Sequence, residues 1–157
     1  MESLLKFVQR FGVVSPHDES VLRHYAKRSN LHAGEYFLHP GQICHKVGFI
    51  TKGVFRVYVH TEEGKVITRG FPSEGNFMVD LESFYNEKPT NEFWEAITDL
   101  EFLDWERADI TRMESEIGSW QTILIPMTQH ILVKESHERT EMFNDDASTR
   151  YSKFLAR

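Results

Sequence analysis

Apolar residues recur at helical spacing near both ends of this chain and alternate with polar residues through its middle. Ser15-Pro16 predicts a helix start, because serine caps helices and proline suits the first turn. That helix is expected to end near Asn30. An earlier helix is predicted by an apolar set at helical spacing: Leu4, Leu5, Val8 and Phe11.

Short alternating segments separated by turns occupy residues 31–105, which is typical of strands. Lys52-Gly53 predicts a tight hairpin between two of them. Many short strands with turns every ~8–12 residues favour a sandwich or barrel. The predicted strands are 35–38, 47–51, 54–60, 66–71, 77–81, 93–98 and 101–105.

Helical periodicity returns near residue 107. A short helix is predicted over 109–116 and a last one over 146–157, on either side of a longer helix. Pro126 predicts a kink or a boundary in that longer helix. Its apolar stripe consists of Ile117, Trp120, Leu124, Met127 and Ile131.

Charge and composition narrow the function classes. The net charge is −6, and residues 74–116 hold thirteen acidic side chains against three basic ones. Such a surface would repel phosphate, so these 157 residues are a poor candidate for binding DNA by themselves. The single cysteine, Cys44, cannot form an internal disulfide, which suits a reducing compartment and predicts a cytoplasmic location. The start of the chain lacks the basic end and apolar run of a signal peptide. No apolar run is long enough to predict a membrane span.

Five glycines mark the turns between the predicted elements, in a specific order along the chain: Gly34, Gly41, Gly53, Gly64 and Gly75. With residues 47–58 and Gly75-Asn76-Phe77, this order resembles the cyclic-nucleotide-binding domain of Crp/Fnr-type transcription regulators. The resemblance implies a mainly β fold with flanking helices, a β jelly roll (double-stranded β-helix) followed by a long C-terminal dimerisation helix. It also implies a sensor domain over 1–115, and a dimerisation helix with a short exit helix over 116–157. The family's helix-turn-helix domain is absent from these residues.

The family's phosphate cassette departs from its usual pattern in this chain. The resemblance places Val79 and Asp80 at a Gly-Glu pair, and Thr90 and Asn91 at an Arg-Ser pair. Without the arginine, Lys88 is the nearest cation, a point charge on a flexible stem. Binding of cAMP or cGMP is therefore disfavoured and no cofactor is expected. The ligand-pocket candidates are Val79, Asp80, Leu81, Thr90, Asn91 and Ser136, the last beside Glu135 on the long helix.

Two interpretations of that pocket remain open. In one, a different small ligand, neutral or aromatic, occupies it. In the other, the pocket is degenerate and filled by its own side chains: Phe77, Leu81, Phe84, Tyr85, Phe93 and Trp94.

The long helix is expected to pair with its mate in a homodimer, as the resemblance implies. The dimer-helix candidates are Trp120, Leu124, Met127 and Ile131, and the further apolar positions Ile123, Ile125, Leu132 and Val133 favour burial on two sides.

Other chemistries are weakly supported by the sequence. His39, Cys44 and His45 do not match a zinc pattern, so no metal site is predicted. One cysteine is too few for an iron–sulfur sensor, and the clustered histidines of a cupin-type enzyme do not occur. No enzyme is expected. The sequence predicts a ligand-sensing and dimerisation module of a Crp/Fnr-like regulator that reaches DNA only through a separate helix-turn-helix domain. The alternative is a stand-alone small-ligand-binding or interaction module that does not contact DNA.

Overall fold

The computed structural model describes residues 1–144, so the helix predicted over 146–157 lies outside the described residues. The side chains of Glu135 and of residues 138–144 also lie outside them. The helices are α1 (Glu2–Val8), α2 (Pro16–Tyr25), α3 (Leu81–Asn86), α4 (Arg107–Glu116) and α5 (Trp120–Asn144). The strands are β1 (Lys27–Leu31), β2 (Tyr36–Leu38), β3 (Lys46–Lys52), β4 (Phe55–His60), β5 (Val66–Gly70), β6 (Phe77–Met78), β7 (Glu92–Ala96) and β8 (Leu100–Glu106).

The strands within residues 1–144 form two four-stranded sheets, which confirms the mainly β fold predicted from the sequence. The first sheet has the order β1-β8-β3-β6 and the second has the order β2-β7-β4-β5. All the pairings between these strands are antiparallel. The five turn glycines that carry the resemblance all have positive φ.

The hairpin predicted at Lys52-Gly53 is wrong, because β3 and β4 belong to different sheets. The chain turns there from one sheet to the other. Gly53 has φ +98°, and an added Cβ would lie 2.5 Å from the carbonyl oxygen of Asp99. The local signal predicted the turn but not the partners, since β3 pairs with β6 and β8, whereas β4 pairs with β5 and β7.

Two element boundaries also differ from the prediction. Helix α2 starts as expected, with a capping box between Ser15 and Asp18, but it ends at Tyr25. Residues up to Asn30 form β1 instead, because they pair with β8. The strand predicted over 77–81 stops at Met78, and Asp80 caps α3.

The apolar side chains are buried in two clusters on either side of the first sheet. The cluster inside the sandwich includes Ile50, Phe55, Met78, Trp94 and Phe102. The other lies between the first sheet and the helices, and includes Leu4, Val21, Phe49, Trp105 and Met113. The helices pack on the side of the first sheet that faces away from the sandwich. Ile123, near the start of α5, is buried in this second cluster.

Helix α5 continues through Pro126, so of the kink or boundary predicted there, the boundary does not occur. Of the helices in residues 1–144, none combines the length and the apolar character that crossing a membrane requires.

Candidate functional site

A cleft of about 1010 Å³ opens between the second sheet, the β6–α3 segment and α5. We call it the barrel cleft. It brings together five of the six predicted pocket residues: Val79, Asp80, Leu81, Asn91 and Ser136. The cleft lies where the resemblance places the ligand.

Asp80 has both carboxylate oxygens engaged by the chain itself. One oxygen accepts a hydrogen bond from the Ser83 backbone N–H at 3.0 Å, which caps α3. The other accepts from the Thr90 hydroxyl at 2.5 Å. Asp80 therefore joins the start of α3 to the segment that contains Thr90.

Thr90 lies behind the cleft rather than in its lining, since it is only 6% exposed. Its hydroxyl also accepts a hydrogen bond from the Glu92 N–H at 3.0 Å, and its backbone bonds both ways with the 41–42 turn. Thr90 is thus a buried structural contact.

Val79 is the residue that the resemblance placed at a cassette glycine. Its side chain packs against the cluster inside the sandwich and lines the barrel cleft. A branched side chain at this position occupies space that glycine leaves open for a ligand.

The structure brings Arg69 to the cleft, a residue that sequence reasoning did not select. In the β4–β5 pairing Val57 faces Gly70 and Tyr58 faces Thr68, so Arg69 is the extra residue of a β-bulge. A bulge redirects a side chain out of the regular alternation. Arg69 lines the cleft, with its Nε 3.6 Å from a carboxylate oxygen of Glu92.

Glu92 was also missed by the sequence analysis. On β7 it lies on the same face as Trp94, and its carboxylate accepts the Trp94 indole N–H at 3.0 Å. The alternation of side chains along β7 could have placed Glu92 beside Trp94 from the sequence alone. The bulge that redirects Arg69 leaves no such pattern in the sequence.

Two further cations line the cleft from the helices. Arg10 lies over the Phe7 ring, with its guanidinium carbon 5.5 Å from the ring centroid. Lys134 of α5 donates a 2.6 Å hydrogen bond to the Asn76 side chain. Acidic residues line the same cleft, including Glu74 and Glu82, so the described lining mixes both signs of charge.

The degenerate-pocket interpretation fits some of its aromatic residues and not others. Phe84 and Trp94 are buried in the sandwich core. Tyr85 is 66% exposed. Phe93 points away from the core and stacks on Tyr58, with ring centroids 4.9 Å apart. The aromatic side chains therefore leave the barrel cleft open.

Helix α3, which lies between the two predicted parts of the cassette, is held in place by the side chain of Arg107. The Arg107 guanidinium donates to the Phe84 carbonyl oxygen and lies 4.5 Å from the Phe84 ring centroid. It also forms an ion pair with Glu87 at 2.9 Å. Since Arg107 begins α4, the position of the cassette helix is coupled to the helical side of the molecule.

The predicted dimer-helix residues face the chain's own core. Trp120 and Met127 pack against the cluster between sheet and helices, and Leu124 and Ile131 line a second cavity on the helical side of the first sheet. The large apolar side chains of α5 that are exposed to solvent are different ones: Ile125, Leu132 and Val133.

The residues weighed for a metal site do not converge. Cys44 is buried and donates to the Lys46 carbonyl oxygen, and burial raises the pKa of its thiol. His39 and His45 are exposed. Among the residues that the structure describes, no three histidine, cysteine or acidic side chains are grouped to hold a metal ion.

Known structures with this fold span several kinds of regulator. A cyclic nucleotide-binding domain from Methylobacillus flagellatus is 13% identical, with a TM-score of 0.74 over 89% of this chain and 80% of that one. The sensor domain of the transcriptional regulator DNR from Pseudomonas aeruginosa is 16% identical, with a TM-score of 0.63 over 93% and 92%. The Catabolite Activator Protein of Thermus thermophilus is 16% identical, with a TM-score of 0.61.

The Thermus match covers 93% of this chain, which spans about 62% of that protein's length. No curated protein matches the sequence. The cyclic nucleotide-binding domain family matches residues 28–116, more than half of the chain. The chain shares its fold with solved structures of Crp/Fnr-type regulators. The match over residues 28–116 shows that the chain belongs to the cyclic nucleotide-binding domain family.

Proposed function

We propose that this chain is the ligand-sensing and dimerisation module of a Crp/Fnr-like regulator, and that its ligand is not a cyclic nucleotide held through its phosphate. The proposal keeps the sensor domain at residues 1–115 and the dimerisation segment at 116–157. It involves no catalysis. Any DNA contact would be made by a separate helix-turn-helix segment.

The Asp80–Thr90 hydrogen bond carries the ligand part of the proposal. A cyclic phosphate needs a cation and free donors, and it is expensive to bury without them. Here the arginine position is a buried threonine bonded to the acid beside it. The cleft cation Arg69 comes from another strand and is 3.6 Å from the Glu92 carboxylate.

The cleft composition supports an uncharged, flat ligand. Arg69 and Glu92 form an ion pair, and the cations Arg10 and Lys134 share the lining with the acidic Glu74 and Glu82, so neither sign of charge dominates. Phe77 and Trp94 supply aromatic surface in the same lining. A neutral ring system would use those surfaces and the amide of Asn91 without an uncompensated charge.

Helix α5 is the element through which binding would be transmitted. Ile131, Leu132, Lys134 and Ser136 line the cleft, so a ligand there would contact α5 directly. A ligand that binds one α5 position better than another shifts the population of that position. In a homodimer the two α5 helices would carry this shift across the two-fold axis.

Restoring the cassette tests the proposal. The triple variant Val79→Gly/Thr90→Arg/Asn91→Ser is expected to show saturable thermal stabilisation by cAMP, whereas the natural chain shows none up to millimolar concentrations. The control is the same variant with Thr90→Gln, which has reach without charge. Both chains would also be titrated with uncharged nucleosides and aromatic metabolites.

Clear saturable stabilisation of the natural chain by cAMP or cGMP would overturn the ligand part of the proposal. Equal stabilisation of the arginine and glutamine variants would overturn the assignment of the missing arginine as the cause.

A further inference from the structure

The bulge in β5 places two consecutive residues, Arg69 and Gly70, in the lining of the barrel cleft. Gly70 faces Val57, which lines the cleft from β4. Among the described residues, an added Cβ at Gly70 would meet only the Pro72 ring, at 4.0 Å, so the space over this glycine is open. Val57 and Gly70 therefore leave room for a flat ring beside the Arg69 guanidinium.

Glu92 positions that guanidinium. The Nε of Arg69 lies 3.6 Å from one carboxylate oxygen of Glu92, and the other oxygen accepts the Trp94 indole N–H at 3.0 Å. The side chain of Glu92 is 16% exposed, whereas that of Arg69 is 41% exposed. Among the side chains that the structure describes, none accepts a hydrogen bond from Nη1 or Nη2 of Arg69, so both nitrogens are available to a ligand.

Two adjacent donors on a planar group match two adjacent acceptors in the plane of a ligand. Arginine reads guanine in this way, through the O6 oxo group and the ring nitrogen N7. An exocyclic amino group in place of the oxo group would direct a donor at a donor.

The charge balance of the site separates such a ring from an anion. Carboxylates and phosphates also match the guanidinium fork. However, the Glu92 carboxylate already neutralises Arg69, and a second anion beside Glu92 would be repelled. An uncharged ring with two acceptors uses the free donors without adding charge.

We propose that Arg69 determines the specificity of the barrel cleft by selecting an uncharged oxopurine, a flat ring with an oxo group beside a ring nitrogen. Nη1 and Nη2 donate to these two acceptors, and the ring lies over Val57 and Gly70. This inference rests on the proposed function, since it names the class of neutral ligand that the cleft binds.

Inosine and adenosine provide a matched pair of uncharged probes, because inosine carries an oxo group where adenosine carries an amino group. Isothermal titration calorimetry would measure the binding of each nucleoside to the intact chain. We expect inosine to bind about ten-fold more tightly than adenosine. 7-Deazainosine, which lacks the ring-nitrogen acceptor, is expected to bind about five-fold more weakly than inosine.

Substitutions at Arg69 test its role directly. Arg69→Gln is expected to reverse the preference in favour of adenosine, because a carboxamide accepts from the amino group and donates to the ring nitrogen. Arg69→Lys keeps the charge beside Glu92 but lacks the planar fork, so the preference for inosine should fall to about two-fold. The matched control is Arg56→Gln in the neighbouring strand β4, where the guanidinium donates to the Thr68 hydroxyl at 2.9 Å, and the preference should stay unchanged.

Gly70→Leu tests where the ring lies. Its side chain would fill the open space over this residue, and it is expected to abolish binding of both nucleosides. Unchanged inosine binding in this variant would overturn the proposed position of the ring.

Equal binding of inosine and adenosine, or an unchanged preference in Arg69→Gln, would overturn the role of Arg69 and leave the proposed function standing. Absence of binding by inosine and by its 3′,5′-cyclic monophosphate would overturn the oxopurine assignment alone. Binding of the cyclic monophosphate without binding of inosine would show that the phosphate is required, and would overturn both this inference and the ligand part of the proposed function.

Discussion

The Thr90 hydroxyl donates a 2.5 Å hydrogen bond to the carboxylate of Asp80, ten residues earlier in the chain. This bond joins the residue before α3 to the segment that leads into β7. Thr90 thus has a structural role in the described chain.

Thr90→Val is expected to lower the free energy of unfolding by about 1–3 kcal/mol, because the Asp80 carboxylate and the Glu92 N–H each lose a partner. Urea denaturation measures the change. The control is Thr111→Val, where an exposed hydroxyl bonds a helix carbonyl at 3.2 Å and the loss should stay within about 0.5 kcal/mol. Equal costs for the two variants would contradict a structural role for Thr90.

Gly53→Ala tests the turn that carries the chain from one sheet to the other. Both the positive φ and the 2.5 Å approach of a new Cβ to the Asp99 oxygen oppose the substitution. We expect it to destabilise the fold by more than about 2 kcal/mol. Gly64→Ala has a positive φ with open space around the new Cβ, and about 1 kcal/mol is expected there. Thermal denaturation of both variants shows whether crowding of the new Cβ adds to the cost of the positive φ.

Asp18 gives the fold an acid-sensitive contact between α2 and the residue before α5. Burial alone would raise the pKa of Asp18, but hydrogen bonds from Ser15 and Ser119 outweigh it, and the pKa lies below its usual value of 3.8. The charged form is therefore favoured by folding. Its stabilising contribution is complete above the usual pKa and is lost as pH falls through the lower folded value.

Asp18→Asn is accordingly expected to be less stable than the natural chain by about 1–2 kcal/mol near neutral pH, with the difference shrinking below about pH 4. Urea midpoints measured from pH 7 to pH 3 test this. Glu19→Gln breaks an exposed pair with Arg23, so its effect should stay within about 1 kcal/mol. If the difference in stability between Asp18→Asn and the natural chain grew as the pH falls, the predicted direction of the pH dependence would be wrong.

Dimerisation is expected to use the outer side of α5, where Ile125, Leu132 and Val133 are exposed. Val133→Glu should shift the chain from dimer to monomer in sedimentation at several concentrations, with little loss of thermal stability. Val13→Glu makes the same chemical change at a valine that is 86% exposed in the α1–α2 loop, and it should leave assembly unchanged. A natural chain that stays monomeric at high concentration would refute the pairing of α5.

The sequence by itself missed β1 and α3. It determined the turn positions, the start of α2 and the order of N-terminal helices, β-rich middle and long C-terminal helix. These depend on local preferences: Ser15 caps α2, and each of the five turn glycines has the positive φ that other residues avoid. The stripe of α5 was also readable, because its spacing marks a buried side whatever lies against it.

Only the tertiary structure decided which strands pair, where Thr90 points and how Arg69 reaches the cleft. Strand pairing depends on segments distant in sequence, so β3 and β4 look like a hairpin and lie in different sheets. Arg69 enters through a bulge that local alternation does not reveal.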